Sequence, residues 1–422
     1  MVTSSGWFYH NSFKWKYQLS ALKKEGLRMR NSVILSAVRT PFGKFGGAFK
    51  GIPAVDLGAE AMKSAISKSG ISQEDIDYIV MGQVLQAGAG QIPSRQASIK
   101  AGIDWSTGSE TINKVCASSL RAVTMADQMI RSGDSEVVLA GGMESMSNAP
   151  FASKDLRWGN RMFNSQMIDL MVHDGLWDAY YNQHMAVNGG YGAEKYGISR
   201  EAQDEWALRS QQLAAKAIEA GRLEEEIIPI EVPQRKGDSL VISKDEAPRP
   251  TTTLTDLQRL PGLFKEGNTV TAGNAPGTND GASALLIASE EKAKELGVTP
   301  LATILGHAEC GVETRLIASA PGHAITKLLK DNNLTVEDID LFEINEAFAA
   351  VTLVTQKMLD IPSEKINVNG GAIAFGHPIG ATGGRIIGTL VHEMRRRKAK
   401  YGIAAICSGA AQGDAILVRC DY

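Results

Sequence analysis

The sequence lacks the marks of several large functional classes. Lysine and arginine (44) do not outnumber aspartate and glutamate (47), so the net charge is −3 and the basic footprint of a nucleic-acid binder is missing. No run of about 18 apolar residues occurs, which removes the expectation of a membrane span. Four cysteines in 422 residues are too few for a disulfide framework and point to a reducing compartment. The first 28 residues carry Trp7, Phe8, Tyr9, Phe13, Trp15 and Tyr17 among lysines but no apolar core of a secretory signal. They read as a disordered N-terminal extension. The functional chain is expected to begin near Met29 and to be cytoplasmic. Its length suits two or three globular domains.

Glycine is what the chain has in excess: 43 residues, about 10% against a usual value of about 7%. The glycines cluster near an internal repeat. Ile71-Ser72-Gln73-Glu74-Asp75-Ile76-Asp77 returns, starting at position 334, as Leu334-Thr335-Val336-Glu337-Asp338-Ile339-Asp340. Each copy opens on a capping hydroxyl and runs into an apolar strand, Tyr78–Met81 and Leu341–Ile344. A helix from Cys116 to Arg131 aligns with one from Gly380 to Arg395, and each leads into a strand, Val137–Ala140 and Ile403–Ile406. The openings Val33-Ile34-Leu35 and Thr303-Ile304-Leu305 match loosely. Repeats in one order at nearly one offset mean a duplicated α/β domain. The stretch 147–278 has no counterpart and reads as an insertion that covers or shapes a site. Its helix after Ser199 places Trp206, Leu213, Ala214, Ala217 and Ile218 on one face, a packing stripe.

The candidate chemistry sits where the copies correspond. Cys116 opens a helix that is apolar nearly all round, so the helix dipole is expected to lower the thiol pKa and make a nucleophile. The competing reading is an inert core cysteine. His377 lies in the glycine-rich stretch Asn369–Gly380, at the equivalent place in the second copy. A pseudo-twofold packing would bring it to Cys116 as a Cys–His pair; otherwise it is a structural histidine. Cys407, in Ile406-Cys407-Ser408-Gly409, offers a second thiol and free amides at a strand end. Asn345 and Glu346 leave another strand end, where open α/β sheets bind ligands. Cys310 and Cys420 read as packing or surface residues.

Asn113-Lys114-Val115-Cys116-Ala117-Ser118, Gly141-Gly142-Met143-Glu144-Ser145-Met146-Ser147, Asn345-Glu346-Ala347-Phe348, Asn369–Gly380 and Cys407-Ser408-Gly409 together resemble the thiolase family, from Met29 to the C-terminus. The resemblance implies a duplicated five-layer αβαβα fold with an inserted loop domain. Its parts would be 29–146 with 279–300, the loop domain 147–278, and 301–422. It also implies a reversible Claisen condensation of two acetyl-CoA to acetoacetyl-CoA and CoA, with no cofactor and no metal. Cys116 would carry the acyl group, His377 would activate it, and Cys407 would act as acid and base. Asn345 would hold an oxyanion-hole water, and the Gly409 N–H would serve a second hole with that of Cys116.

The His184-Met185 pair resembles the pocket of the short-chain members, while Arg249, Phe264, Ala272 and Phe348 match positions that contact CoA. A homotetramer is implied. The chain departs from the family at Pro276, where a serine is usual, at Asn188–Tyr191, and at Ala410, Ala411 and Asp414. Alternatives are a broader degradative 3-ketoacyl-CoA thiolase and an inactive acyl-CoA- or lipid-binding relative. A nicotinamide enzyme is disfavoured: Gly376, Gly380 and Gly383 do not have the G-x-G-x-x-G spacing.

Overall fold

The computed structural model describes residues 30–422; the expectations for the first 28 residues and for Met29 lie outside them. The β-branched opening forms the strand Ser32–Arg39, buried along its whole length. It pairs antiparallel with Asn279–Ser289 on one side and, through Ser32–Ile34, with Ala302–Gly311 on the other. These pairs join two similar halves into a 10-stranded sheet. Outward from the junction, the first half runs Ser32–Arg39, Asn279–Ser289, Val137–Ser145, Tyr78–Gly82, and the second Ala302–Gly311, Gln412–Arg419, Tyr401–Ser408, Leu341–Ile344. In each half the last of these pairs is parallel and the others are antiparallel, as a duplication requires. Gly108–Ile112 extends the first half alone.

The strands are buried on both faces. Val138 and Ala140 point into a core shared with the helices Ser118–Ser132 and Thr382–Arg397, whereas Val137 and Leu139 point into an outer core. The two helices meet between the sheet halves, joining Leu120, Val123 and Ile130 to Ile386, Leu390 and Met394. A Cβ on Gly383 would come within 2.2 Å of the Leu120 backbone nitrogen, so only glycine permits this approach. Outer helices, Ala54–Ser69 on the first half and Ala320–Asp331 on the second, complete five layers.

The loop segment adds the helices Met185–Lys195 and Arg200–Glu219. Ser199 caps the second, accepting from the Ala202 N–H at 3.1 Å. The expected apolar stripe is only partly right. Trp206, Ala214 and Ala217 are buried, but so are Gln203, Asp204, Ser210 and Gln211, while Leu213 and Ile218 are not. Ser210 and Gln211 on that face pair with Glu346 and Ile373 of the second half, while Gln203 and Asp204 pair with Thr269 and Asn274 within the loop segment. Among the described residues no helix is long and apolar enough to cross a membrane.

Candidate active site

Cys116 does not start a helix. The helix begins at Ser118 behind an Ala117 cap, and Cys116 sits in the preceding turn. Asn113 Oδ1 accepts from the Val115 N–H at 2.9 Å, and Ser118 Oγ accepts from Lys114 N at 2.9 Å while donating to Val115 O. Between them Val115 has φ +45°, a conformation a β-branched residue rarely adopts. The strained turn holds Cys116 at the wall of a cavity of about 300 Å³, which His377, Cys407 and Gly409 also line.

The expected low thiol pKa is overturned. Burial pushes the Cys116 thiol up to about 12, and the nearby Glu144 carboxylate adds to the rise. The amides of Cys116 and Gly409 oppose it by donating toward the sulfur. Desolvation outweighs the dipole because the turn is enclosed by protein. The resting thiol is therefore neutral, and to act as a nucleophile it would need a base to take its proton.

His377 is suited to that role. Thr382 Oγ1 donates its only proton to Pro378 O at 2.8 Å, so it accepts from His377 Nδ1, 2.7 Å away. The imidazole thus carries its proton on Nδ1 and presents the Nε2 lone pair. Asn345 Nδ2 lies 3.4 Å from Nε2, and Asn345 Oδ1 is buried without a partner among the described residues. Burial, with the Arg385 charge, pushes the His377 pKa down to about 3, so the ring is a neutral base at pH 7. We expect Thr382→Val to lower kcat about 10- to 100-fold with little change in KM. It leaves Nδ1–H unpaired, at about 1–3 kcal/mol; Thr382→Ser should restore the rate.

Cys407, the last residue but one of the strand Tyr401–Ser408, lines the same cavity and is fully buried. Its thiol is pushed well above the ordinary value, first by burial and then, whenever Cys116 is a thiolate, by that charge. Beyond Gly409, Ala410 and Ala411 adopt φ +60° and +51°, the left-handed region, which costs a non-glycine residue about 1–2 kcal/mol. Asp414 ion-pairs with Lys114 at 2.7 Å, tying this hairpin to the Cys116 turn.

His184 accepts from the Ala186 N–H at 3.1 Å, capping the helix Met185–Lys195, and stacks on Phe264 with centroids 3.9 Å apart. Burial lowers its pKa to about 4. Met185 and Phe348 form further wall of the cavity. The Asn188–Tyr191 departure has a local purpose here. Asn188 Nδ2 donates to Asp178 Oδ2 at 2.6 Å, and a Cβ on Gly189 would come within 2.6 Å of the Phe348 ring. Arg249 and Ala272 do not reach this cavity. They line a second one, of about 870 Å³, that adjoins it through Leu263, Ala275, Pro276, Gly277 and Thr278.

Two buried carboxylates were not singled out for what they hold. Glu144 accepts from the amides of Val84, Leu85 and Gly380 at 2.9–3.1 Å, bridging the halves beside the His377 loop, and burial pushes its pKa up to about 7. Glu346 accepts from Trp206 Nε1, Ser210 Oγ, Asn367 Nδ2 and Ile373 N, tying the loop segment to the second half. Both stand inside motifs quoted above, but their partners lie far off in sequence. The same holds for Arg385, buried against Glu343 at 2.7 Å.

Two fused α/β halves with paired thiols and a neutral imidazole at their junction define a thiol-dependent family, and the chain belongs to the thiolases. The family description "Thiolase, N-terminal domain" matches residues 32–291 and "Thiolase, C-terminal domain" residues 298–420. Among individual proteins, the chain is 48% identical to the acetyl-CoA acetyltransferase of Cupriavidus necator, over 93% of this chain and all of that one. It is 45% identical to a Staphylococcus aureus protein named "Probable acetyl-CoA acyltransferase", over 92% of this chain and 99% of the other. The crystal structure of Bacillus anthracis acetyl-CoA acetyltransferase superposes with a TM-score of 0.91 at 41% identity, covering 93% and 99% of the two chains.

Proposed function

We propose that the protein is an acetyl-CoA C-acetyltransferase, joining two acetyl-CoA reversibly into acetoacetyl-CoA and CoA. The observation that carries this reading is a pair of thiols and a neutral imidazole around one small, mostly apolar cavity. His377 Nε2 takes the Cys116 proton, and the thiolate attacks the thioester carbonyl of the first acetyl-CoA. The tetrahedral oxyanion forms beside the Cys116 and Gly409 amides, whose placement near the sulfur supports that role. As the C–S bond breaks, Cys407 protonates the departing CoA. The enzyme is left as acetyl-Cys116, Cys407 thiolate and protonated His377.

Cys407 then removes an α-proton from the second acetyl-CoA. The enolate oxygen is held by His377 Nε2–H and by a water on Asn345. The enolate carbon attacks acetyl-Cys116, a carbon–carbon bond forms, and the Cys116 thiolate leaves. His377 returns its proton, and both thiols are restored. Glu144 and Glu346 stay outside the proton path and hold the loops that carry it.

Met185 and Phe348 at the wall support a short-chain substrate. We expect thiolysis kcat/KM to fall at least about tenfold from a four-carbon to a six-carbon 3-ketoacyl-CoA, since one misplaced methylene alone is worth about 1–3 kcal/mol. A flat profile would replace this reading with the broader degradative thiolase. The exposed Trp158, Met162 and Phe163 in the loop segment support a homotetramer, and we place the enzyme in the cytoplasm on its cysteine usage.

A further inference from the structure

Three residues with left-handed backbone lie in two turns that touch where the halves meet. Val115 is in the turn before Cys116, and Ala410 and Ala411 are in the hairpin turn after Cys407. A Cβ on Gly409 would come within 3.0 Å of the Val115 side chain, so the turns are in contact. None of the three is a glycine, which would hold such a φ without strain. The strained turns stay closed only against a force that presses them together.

Lys114 supplies it. Its carbonyl accepts from the Ser408 hydroxyl, and its ammonium donates to Asp414 Oδ1 at 2.7 Å and to Glu309 Oε2. Glu309 and Asp414 are directly opposed on the paired strands Ala302–Gly311 and Gln412–Arg419. On its other side Asp414 is opposed to Ile406, the neighbour of Cys407. Like charges in opposed positions repel, and the Lys114 ammonium is bonded to both. The Asp414 side chain is buried, and its Oδ2 has no partner among the described residues. Burial raises the Asp414 pKa, and the hydrogen bond and charge of Lys114 work against that rise.

We infer that Lys114 is a positioning residue: its bridge to Asp414 and Glu309 holds the strained Ala410–Ala411 turn closed and so keeps Cys407 and the Gly409 amide within reach of Cys116. The inference rests on the reading of Cys116 and Cys407 as partners in thioester chemistry. Lys114 touches no reacting atom, and neither it nor its two carboxylate partners lines the thiol cavity or the adjoining one. Its effect therefore falls on the rate once substrate is bound, not on binding. Without the bridge, Ala410 and Ala411 are free to return to negative φ, which swings Gly409 and Cys407 off the cavity.

The test measures thiolysis of acetoacetyl-CoA by K114M, D414A, K114M/D414A and K114R. Each kcat is counted per molecule that acetyl-CoA converts to acetyl-enzyme, so misfolded protein drops out. It should fall about tenfold in K114M and in D414A, the cost of about one strained residue, with KM within about twofold of wild type. Because the pair acts as a unit, the double variant should fall no further than K114M alone. K114R, which keeps the charge, should stay near the wild-type rate. A410G/A411G introduced into D414A should return most of the loss, since glycine holds the turn without a clamp. If K114M yields no acetylatable protein, D414A and its glycine rescue decide. Wild-type kcat in D414A, multiplied losses in the double variant, or a D414A that the glycines do not rescue overturns the inference while leaving the activity standing. A wild type that neither forms acetyl-enzyme nor turns over overturns the activity and the inference with it.

Discussion

Cys116→Ser incubated with acetyl-CoA should yield no acetyl-enzyme by mass spectrometry, and its turnover should fall about 10⁴-fold or more. The structure makes this expectation steep. Even the wild-type thiol rests neutral, with its pKa pushed up to about 12, beside a histidine held neutral by burial. In the proposed mechanism a nucleophile forms only as the proton moves to Nε2, and a serine hydroxyl gives up that proton far less readily. The strained Val115 turn and the amides of Cys116 and Gly409 would persist in the variant, so binding of CoA esters should survive. Normal acetyl labelling of Cys116→Ser would remove Cys116 from the nucleophile's place.

Cys407→Ala should separate the two half-reactions. Acetyl transfer to Cys116 should persist, more slowly, because CoA can depart as a thiolate and find its proton in water. Exchange of acetyl-CoA methyl protons with solvent should drop about 10³-fold, the usual scale for losing a positioned general base. Cys407 is fully buried, so no solvent group stands ready to replace it. NMR of acetyl-CoA in deuterated water reads the exchange directly. Wild-type exchange in Cys407→Ala would assign the base elsewhere.

Much of this architecture was legible along the chain. The repeated Ser72-to-Asp75 and Thr335-to-Asp338 stretches are local hydrogen-bonding devices, but only the first forms its cap as read: Ser72 Oγ accepts from the Glu74 N–H, whereas the Thr335 hydroxyl donates to Asp338 Oδ2, which also accepts from the Thr335 N–H. The helices following Cys116 and Gly380 lie side by side, because an all-round apolar helix has no stable place except between two sheets. The cavity gathers Cys116, His377, Cys407, Gly409, His184, Met185, Phe264 and Phe348, all named from their motifs. Arg249 and Ala272 were named with them but fall in the adjoining cavity, which spacing along the chain had no means of separating.

Other features depended on what meets in space. The reading of Cys116 took the helix dipole as dominant. A dipole is inferred from a pattern of neighbours, whereas desolvation depends on every atom that closes over the sulfur. The buried polar face of Arg200–Glu219 was hidden for the same kind of reason, since Glu346, which satisfies Ser210 and Trp206, is more than a hundred residues away in the chain.

The amino-acid order by itself determined the duplication, the alternation of strands and helices, and the residue types available for thiol chemistry, because these are written in short-range periodicity and spacing. Tertiary structure alone decided the protonation state of Cys116 and His377, the tautomer set by Thr382, the bracing by Glu144 and Glu346, and the bridge from Lys114 to Asp414. Those properties are sums over solvent exclusion and electrostatic fields, and such sums exist only once distant segments have packed.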